Sequence, residues 1–215
     1  MFDFTLTFDN GPDEETTPAV LASLAARGMT STFFVIGRKL MDPALRRLAE
    51  RAHAEGHFIG NHTFTHSAPL GTMTGEAAER EIADTQAALG GLAHADRFFR
   101  PMGGGGHIDR RLLNAQASRY LQRERFTCVL WNAIPEDWKD PEHWAERALA
   151  QCRAQPWSLM VLHDLPTGAM RHLDRFLDAA RDAGARFRQD FPPDCLPVVR
   201  GQASMPLAPY VADAA

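Results

Sequence analysis

Phe2-Asp3-Phe4-Thr5-Leu6-Thr7-Phe8-Asp9-Asn10-Gly11-Pro12 decides the fold class, because a strand runs here straight into a polar turn. Phe2, Phe4, Leu6 and Phe8 alternate with Asp3, Thr5 and Thr7 at period two, the pattern of an extended segment with one face in a core. Working outward, further strands are expected at Thr32 to Ile36, His57 to Gly60, Arg97 to Phe99, Phe126 to Trp131, Ser158 to Leu162 and Ala185 to Phe187. Thr17-Pro18, Asp42-Pro43 and Asp140-Pro141 each pair a capping side chain with proline at a first helical position, where the missing N–H costs nothing. The first two of these helices stop near Gly28 and Gly56, and others are expected over Asp109 to Gln122, Trp144 to Arg153 and Met170 to Ala183. Strand followed by helix, repeated about seven times, predicts parallel strands joined by helical crossovers, closed as a barrel or open as a doubly wound sheet.

Composition narrows the function classes. With 215 residues, 45% hydrophobic and 23% charged, the chain has enough apolar material for one domain with one sizeable core. A net charge of -4 and no long basic run give no electrostatic reason for nucleic acid or an anionic membrane as partner. Cys128, Cys152 and Cys195 form no CxxC pair, and they read as reduced, buried small hydrophobes. The strand beginning at Phe2 takes the place where a secretory leader would lie, so a cytoplasmic protein is expected. The domain is expected to span residues 1–190, with 191–215 a proline-studded tail packed on it. The oligomeric state is not written in the sequence.

On this scaffold the polar motifs fall at one place. Asp9 follows the first strand, His62 and His66 the third, Arg100 the fourth, Asp137 the fifth, and His163 ends the sixth. In parallel α/β architectures the loops at the carboxyl ends of strands converge on a site, so these motifs are expected to share a cleft. His62 and His66 are four apart, which puts two imidazoles on one face if the segment is helical, a common spacing for paired metal ligands. Alone, such a pair in a chain with nine histidines reads as two solvated or hydrogen-bonded side chains. The companion motifs change that reading, since a catalytic metal takes about three protein ligands and keeps a position open for water, and Asp9-Asn10 is an acid/amide pair followed by a Gly-Pro turn.

Thr7-Phe8-Asp9-Asn10-Gly11-Pro12, Gly56 to His66, Phe99-Arg100-Pro101, Asp137-Trp138 and Val161-Leu162-His163-Asp164 together resemble the five motifs of the polysaccharide deacetylases, the NodB-homology group of carbohydrate esterases. The resemblance implies a distorted (β/α) barrel, usually of seven strands, and removal of acetyl groups from N-acetylated sugars with one divalent metal ion, zinc first, with cobalt, nickel or manganese as alternatives. It implies Asp9 as general base and Asn10 in the place of the metal-binding aspartate, with His62 and His66 as the other ligands. Arg100 would hold Asp9, Asp137 would tune the general acid His163, and Trp138 and Val161 would line the acyl pocket.

Each residue also has a plainer reading. Taken singly, Asp9 caps a loop, Arg100 is a surface ion-pair partner, Asp137 is unremarked, His163 is a strand-end histidine bonded to backbone, and Trp131 and Trp138 are core. Gly103 to Gly106 lack the Lys-Ser/Thr of a phosphate loop and read as a flexible turn, with His107 a weak candidate for the cleft. The chain also departs from the family pattern: Asn10 replaces a charged ligand, Met102-Gly103 stand where Pro-Tyr is frequent, Asn132 replaces an acid and Val161 a leucine. Gly103 would then supply the oxyanion-binding N–H from a less rigid loop. Three functions are therefore weighed: a metal-dependent carbohydrate deacetylase; a related C–N hydrolase of a small non-sugar amide, with or without metal; and a weakly catalytic member of the fold that binds carbohydrate or a protein.

Overall fold

The period-two segment becomes the central strand of the molecule. In the computed structural model, which describes residues 1–213, β1 (Phe2–Asp9) pairs in parallel with β6 (Trp157–His163) along its length, Asp3 opposite Trp157 and Asp9 opposite His163. Its other edge is shared: Phe2 to Thr5 pair with β7 (Ala185–Arg188) and Thr7 to Asp9 with β2 (Thr32–Val35). From β2 the sheet continues in parallel through β3 (Phe58–Asn61), β4 (Phe98–Phe99) and β5 (Thr127–Cys128). No ladder joins β5 to β6; instead Ala133 makes an isolated parallel bridge to Met160, and the Val161 N–H donates to the Ala133 carbonyl at 3.0 Å. The architecture is a distorted (β/α) barrel with seven parallel strands.

Among the described residues six helices pack outside: α1 (Thr16–Ala25), α2 (Pro43–Ala54), α3 (Gly75–Leu89), α4 (Ala115–Arg123), α5 (Trp144–Arg153) and α6 (Leu173–Asp182). The phenylalanine face of β1 meets them. Phe4 lies edge-on to Phe176 of α6 at 5.7 Å, and Trp144 of α5 completes the cluster at 5.2 Å from Phe176. Truncating the fully buried Phe4 to alanine costs about 3–5 kcal/mol on the usual scale for large aromatic cavities. The opposite face of β1, carrying Thr5, Thr7 and Asp9, is buried yet polar, and Thr7 Oγ1 donates to the Met160 carbonyl.

Several local expectations are corrected. Helix α1 begins at Thr16, and it is Asp13 that accepts from the N–H groups of Glu15 and Thr16; the Thr17 hydroxyl instead donates to Asp164 at 2.6 Å. Asp140 accepts from the His143 N–H and closes a turn before α5, whose first residue is Trp144. The 109–114 stretch is turn and bridge, so α4 starts only at Ala115 behind its Asn114 cap. Helix α3 goes unassigned in the sequence reading because its buried face is Ala78, Ile82, Thr85 and Leu89, a weak apolar stripe. Asp42 caps α2 as expected.

The tail does more than lie on the surface. After Phe191, β8 (Val198–Val199) and β9 (Gln202–Ala203) form an antiparallel hairpin whose Val198 pairs with Cys128 of β5, and Cys195 and Val198 are buried. This covers the sheet edge that the short β5 would otherwise expose. The last two residues of the expected 191–215 segment lie outside the described ones. All three cysteines are free and buried, and burial pushes each thiol up to about 12. Among the described residues no helix is long and apolar enough to cross a membrane.

Candidate active site

At the carboxyl ends of the strands lies a cavity of about 230 Å³ lined by Asp9, Asn10, His62, His66 and His163, with Gly103, Trp131, Trp138 and Val161 among its walls. Seven sequence-distant positions singled out by the motifs therefore do share one cleft, and Arg100 and Asp137 stand directly behind it.

Asp9 is the last residue of β1 and only 4% exposed. Arg100, fully buried, donates from Nη1 to Asp9 Oδ1 at 2.8 Å and to Thr7 Oγ1 at 2.6 Å. Its Nε and Nη2 donate to the carbonyls of Val129 and Leu130, and the guanidinium lies 4.1 Å from the Phe34 ring centroid. The surface ion-pair reading of Arg100 is thus overturned: a charge at this depth exists only because every nitrogen has an acceptor. Burial alone would raise the Asp9 carboxyl; Arg100, then His62 and His163, outweigh it, so Asp9 is held below the ordinary carboxylate range.

On the neighbouring strand stands a second pair. His163 ends β6, where its backbone N–H donates to Asp137 Oδ2 at 2.9 Å and its Nδ1 to Asp137 Oδ1 at 2.8 Å. That leaves Nε2 for the cavity. Desolvation pulls the imidazole down, but the bond and charge of the buried Asp137, with Asp9 and Asp164 behind, raise it above the ordinary histidine value. Trp138 meets the ring edge-on at 4.8 Å.

His62 and His66 come together without a helix. Their rings are 4.7 Å apart, but the segment from Thr63 to His66 is a loop in which Thr63 (φ 64°) and His66 (φ 54°) are left-handed. Side chains elsewhere hold this loop: Asn61 Oδ1 accepts from the Thr63 N–H, and Glu81 of α3 accepts from both the N–H and the hydroxyl of Thr65 at 2.8 and 2.7 Å. The helical-face reading is therefore wrong in its geometry and right about the pairing. His62 Nδ1 donates to the Arg100 carbonyl at 2.8 Å, so its Nε2 carries the lone pair, 3.5 Å from Asp9 Oδ2. Burial lowers both imidazoles, His66 to about 3, so both are neutral as a metal requires.

Asn10 is left-handed (φ 74°), a conformation its short amide tolerates, and its N–H donates to the Phe34 carbonyl. Its Oδ1 is buried and has no hydrogen-bond partner. A buried acceptor left open beside two neutral imidazoles fits a cation held by Asn10, His62 and His66. Among the described residues no three histidine, cysteine or carboxylate side chains are grouped to hold a metal, so a cation at this place would need the Asn10 amide as its third donor.

Sequence reasoning missed part of the cavity. Trp131, read as core, lines it, as do Met102, Ile134 and Leu165; their only sequence signal is proximity to motif residues. His107 is exposed and is not among the lining residues. Gly103 lines the cavity, and among the described residues its N–H donates to no protein group.

Similarity to known proteins agrees with this geometry. The polysaccharide deacetylase family model matches residues 3–122. The chain is 30% identical over 187 residues to a peptidoglycan-N-acetylglucosamine deacetylase of Bacillus cereus, covering 85% of this chain and 64% of that protein, so it spans a little under two thirds of that relative's length. It is 34% identical over 162 residues to a chitooligosaccharide deacetylase of Rhizobium leguminosarum bv. trifolii, covering 74% of this chain and 70% of the relative. Among solved structures, a family 4 acetyl xylan esterase from Clostridium thermocellum in complex with a cobalt ion superposes with a TM-score of 0.70 at 26% identity, over 86% of this chain and 87% of that one. Together with the cavity that gathers the motif residues, these matches place the chain in the polysaccharide deacetylase family.

Proposed function

We propose that the chain is a metal-dependent hydrolase that removes N-acetyl groups from carbohydrate, acting on N-acetylglucosamine-containing oligosaccharides or polymers. The observation that carries this reading is that Asp9 with the buried Arg100 and His163 with the buried Asp137 end the paired strands β1 and β6 at a cavity also lined by Asn10, His62 and His66. When bound, a divalent ion supplies Lewis acidity to the amide carbonyl and to the attacking water. Asn10, His62 and His66 would hold it; zinc is our first choice, and the cobalt found in the xylan esterase is a second.

The protein's own groups then divide the proton work. Asp9, held ionised by Arg100, takes the proton of the attacking water. His163, whose proton affinity Asp137 raises, delivers a proton from Nε2 to the leaving amine of the sugar. The Gly103 N–H, on a residue that lines the cavity, would stabilise the charge that develops on the carbonyl oxygen. Trp138 and Val161 bound the space for the methyl of the acetyl group. A protein that only bound sugar would have no use for an acid and a base each fixed by its own buried partner.

Acetate release from N-acetylated chitooligosaccharides, assayed over a panel of divalent metals, tests the proposal. Turnover should require about one ion per chain and vanish on chelation. Undiminished turnover after metal removal would sink the metal-dependent reading, and sugar binding with no acetate under any metal would favour a carbohydrate-binding member of the fold.

A further inference from the structure

The run Gly103 to Gly106 is not a slack turn. Gly103 has φ −93° and ψ 103°, a conformation open to any residue, so backbone freedom does not explain glycine there. Space does. A Cβ on Gly103 would sit 2.5 and 2.6 Å from Cη2 and Cζ2 of Trp131, well inside contact distance, and 2.9 Å from the His107 carbonyl oxygen. Gly106 is left-handed (φ 85°), and a Cβ there would lie 2.9 Å from Cδ1 of Ile134 and 3.4 Å from Cη2 of Trp138. The glycine loop is therefore pressed onto a floor built by the segment from Trp131 to Trp138. Two hydrogen bonds tie it down: Trp131 Nε1 donates to the Gly106 carbonyl at 3.3 Å, and the Gly106 N–H donates to the Gly103 carbonyl at 2.8 Å. Trp131 itself is 6% exposed and wedged between the loop and Arg100, whose guanidinium lies 6.0 Å from its ring centroid.

We propose that Trp131 is a positioning residue, which sets the Gly103 N–H over the cavity by filling the space against its Cα and latching the Gly106 carbonyl. The loop lacks side chains to order itself, and three consecutive glycines after Gly103 would leave its amide poorly aimed in isolation. An oxyanion donor is effective only when it is already in place as charge develops, so the ring supplies the rigidity that the loop sequence does not. This rests on reading the site as an amide hydrolase.

Trp131→Phe keeps an aromatic ring under the loop but removes the Nε1–H and the distal Cη2 and Cζ2 edge, whereas Trp131→Leu removes the ring as well. Against N-acetylated chitooligosaccharide with metal bound, Trp131→Leu should lower kcat by about 10²-fold, the scale for a lost oxyanion donor, with KM and metal content little changed, and Trp131→Phe should lie between it and the parent. Gly103→Ala should also be costly in the parent. In the Trp131→Leu background its added cost should be at least tenfold smaller, a partial rescue because the His107 carbonyl still crowds the new methyl. Equal costs in the two backgrounds, or a Trp131→Leu effect confined to KM, would overturn the proposal. Amide hydrogen exchange separates it from the functional reading: exchange of the Gly106 amide, the hydrogen-bonded one of the loop, should speed up in Trp131→Leu while β1 and β6 stay protected, whether or not the parent releases acetate. Unchanged exchange in that loop would refute the latch by itself.

Discussion

The two sides of the cavity are built on different principles. On the acid/base side, Asp9 and His163 end adjacent paired strands, and their partners Arg100 and Asp137 are fully buried. On the side proposed to hold metal, Asn10, Thr63 and His66 are all left-handed loop residues, and the amide oxygen of Asn10 has no hydrogen-bond partner. The difference teaches that the proton-transfer groups should survive loss of metal while the metal loops should not, and each prediction below strains one side against the other.

The largest effect belongs to the acid/base side. His163→Ala and Asp9→Ala should each lower turnover by about 10²–10⁴-fold, the usual range for a general acid or base, while metal content measured by elemental analysis stays near that of the parent. Loss of metal together with turnover would mean that the two sides are not independent. The pH profile sharpens the same point. Asp9 must be ionised and is shifted down, so activity should fall on the acid side only below the ordinary carboxylate range; His163 must be protonated and is shifted up, so the alkaline limb should lie above the ordinary histidine value of about 6.5. Asp137→Asn removes the main cause of the upward shift, and the alkaline limb of kcat/KM should move to lower pH with the acid limb in place.

Arg100 should be next in size, and it reads out in stability. Arg100→Met leaves the buried Asp9 carboxylate without its cation and strips four acceptors of their donor, which on the scale of broken buried pairs costs about 3–5 kcal/mol in urea unfolding. A loss under about 1 kcal/mol would place Arg100 with exposed ion pairs such as Arg51–Glu55.

This contrast also explains what could be read before the structure. The acid/base side is anchored to strand ends, and the strands announce themselves: the alternation of Phe2, Phe4, Leu6 and Phe8 delivers Asp9, and the apolar run before His163 delivers its partner across the ladder. The supports of the metal side come from segments with weak local signals. Glu81 holds Thr65 from a helix whose buried face is mostly small residues, and Trp131 looks like any core tryptophan until the glycine loop is laid over it. Spacing alone paired His62 and His66 only on the condition of a helix, and a separation of four residues is met equally by a tight loop with two left-handed residues. The C-terminal hairpin was hidden for a related reason, since paired segments of two residues each carry no periodicity.

Asn10→Asp gives the smallest change and the most direct comparison of the two sides. In the metal-bound protein, the substitution adds a charge at the amide's position; at an effective dielectric of about 20 a unit pair at about 4 Å is worth about 4 kcal/mol before desolvation takes its share, so metal should bind at least about tenfold more tightly. In the metal-free protein the sign reverses. The new carboxylate adjoins Asp9, whose stabilising cation Arg100 is already engaged on the far side, so two neighbouring anions share a buried site and the stripped variant should unfold at lower urea than the stripped parent. Calorimetric titration with zinc and paired unfolding curves with and without chelator measure both halves. Tighter metal binding with a less stable metal-free state is the outcome expected if Asn10 Oδ1 faces the ion; an unchanged affinity would move that oxygen away from it, and the open acceptor of the metal side would need another explanation.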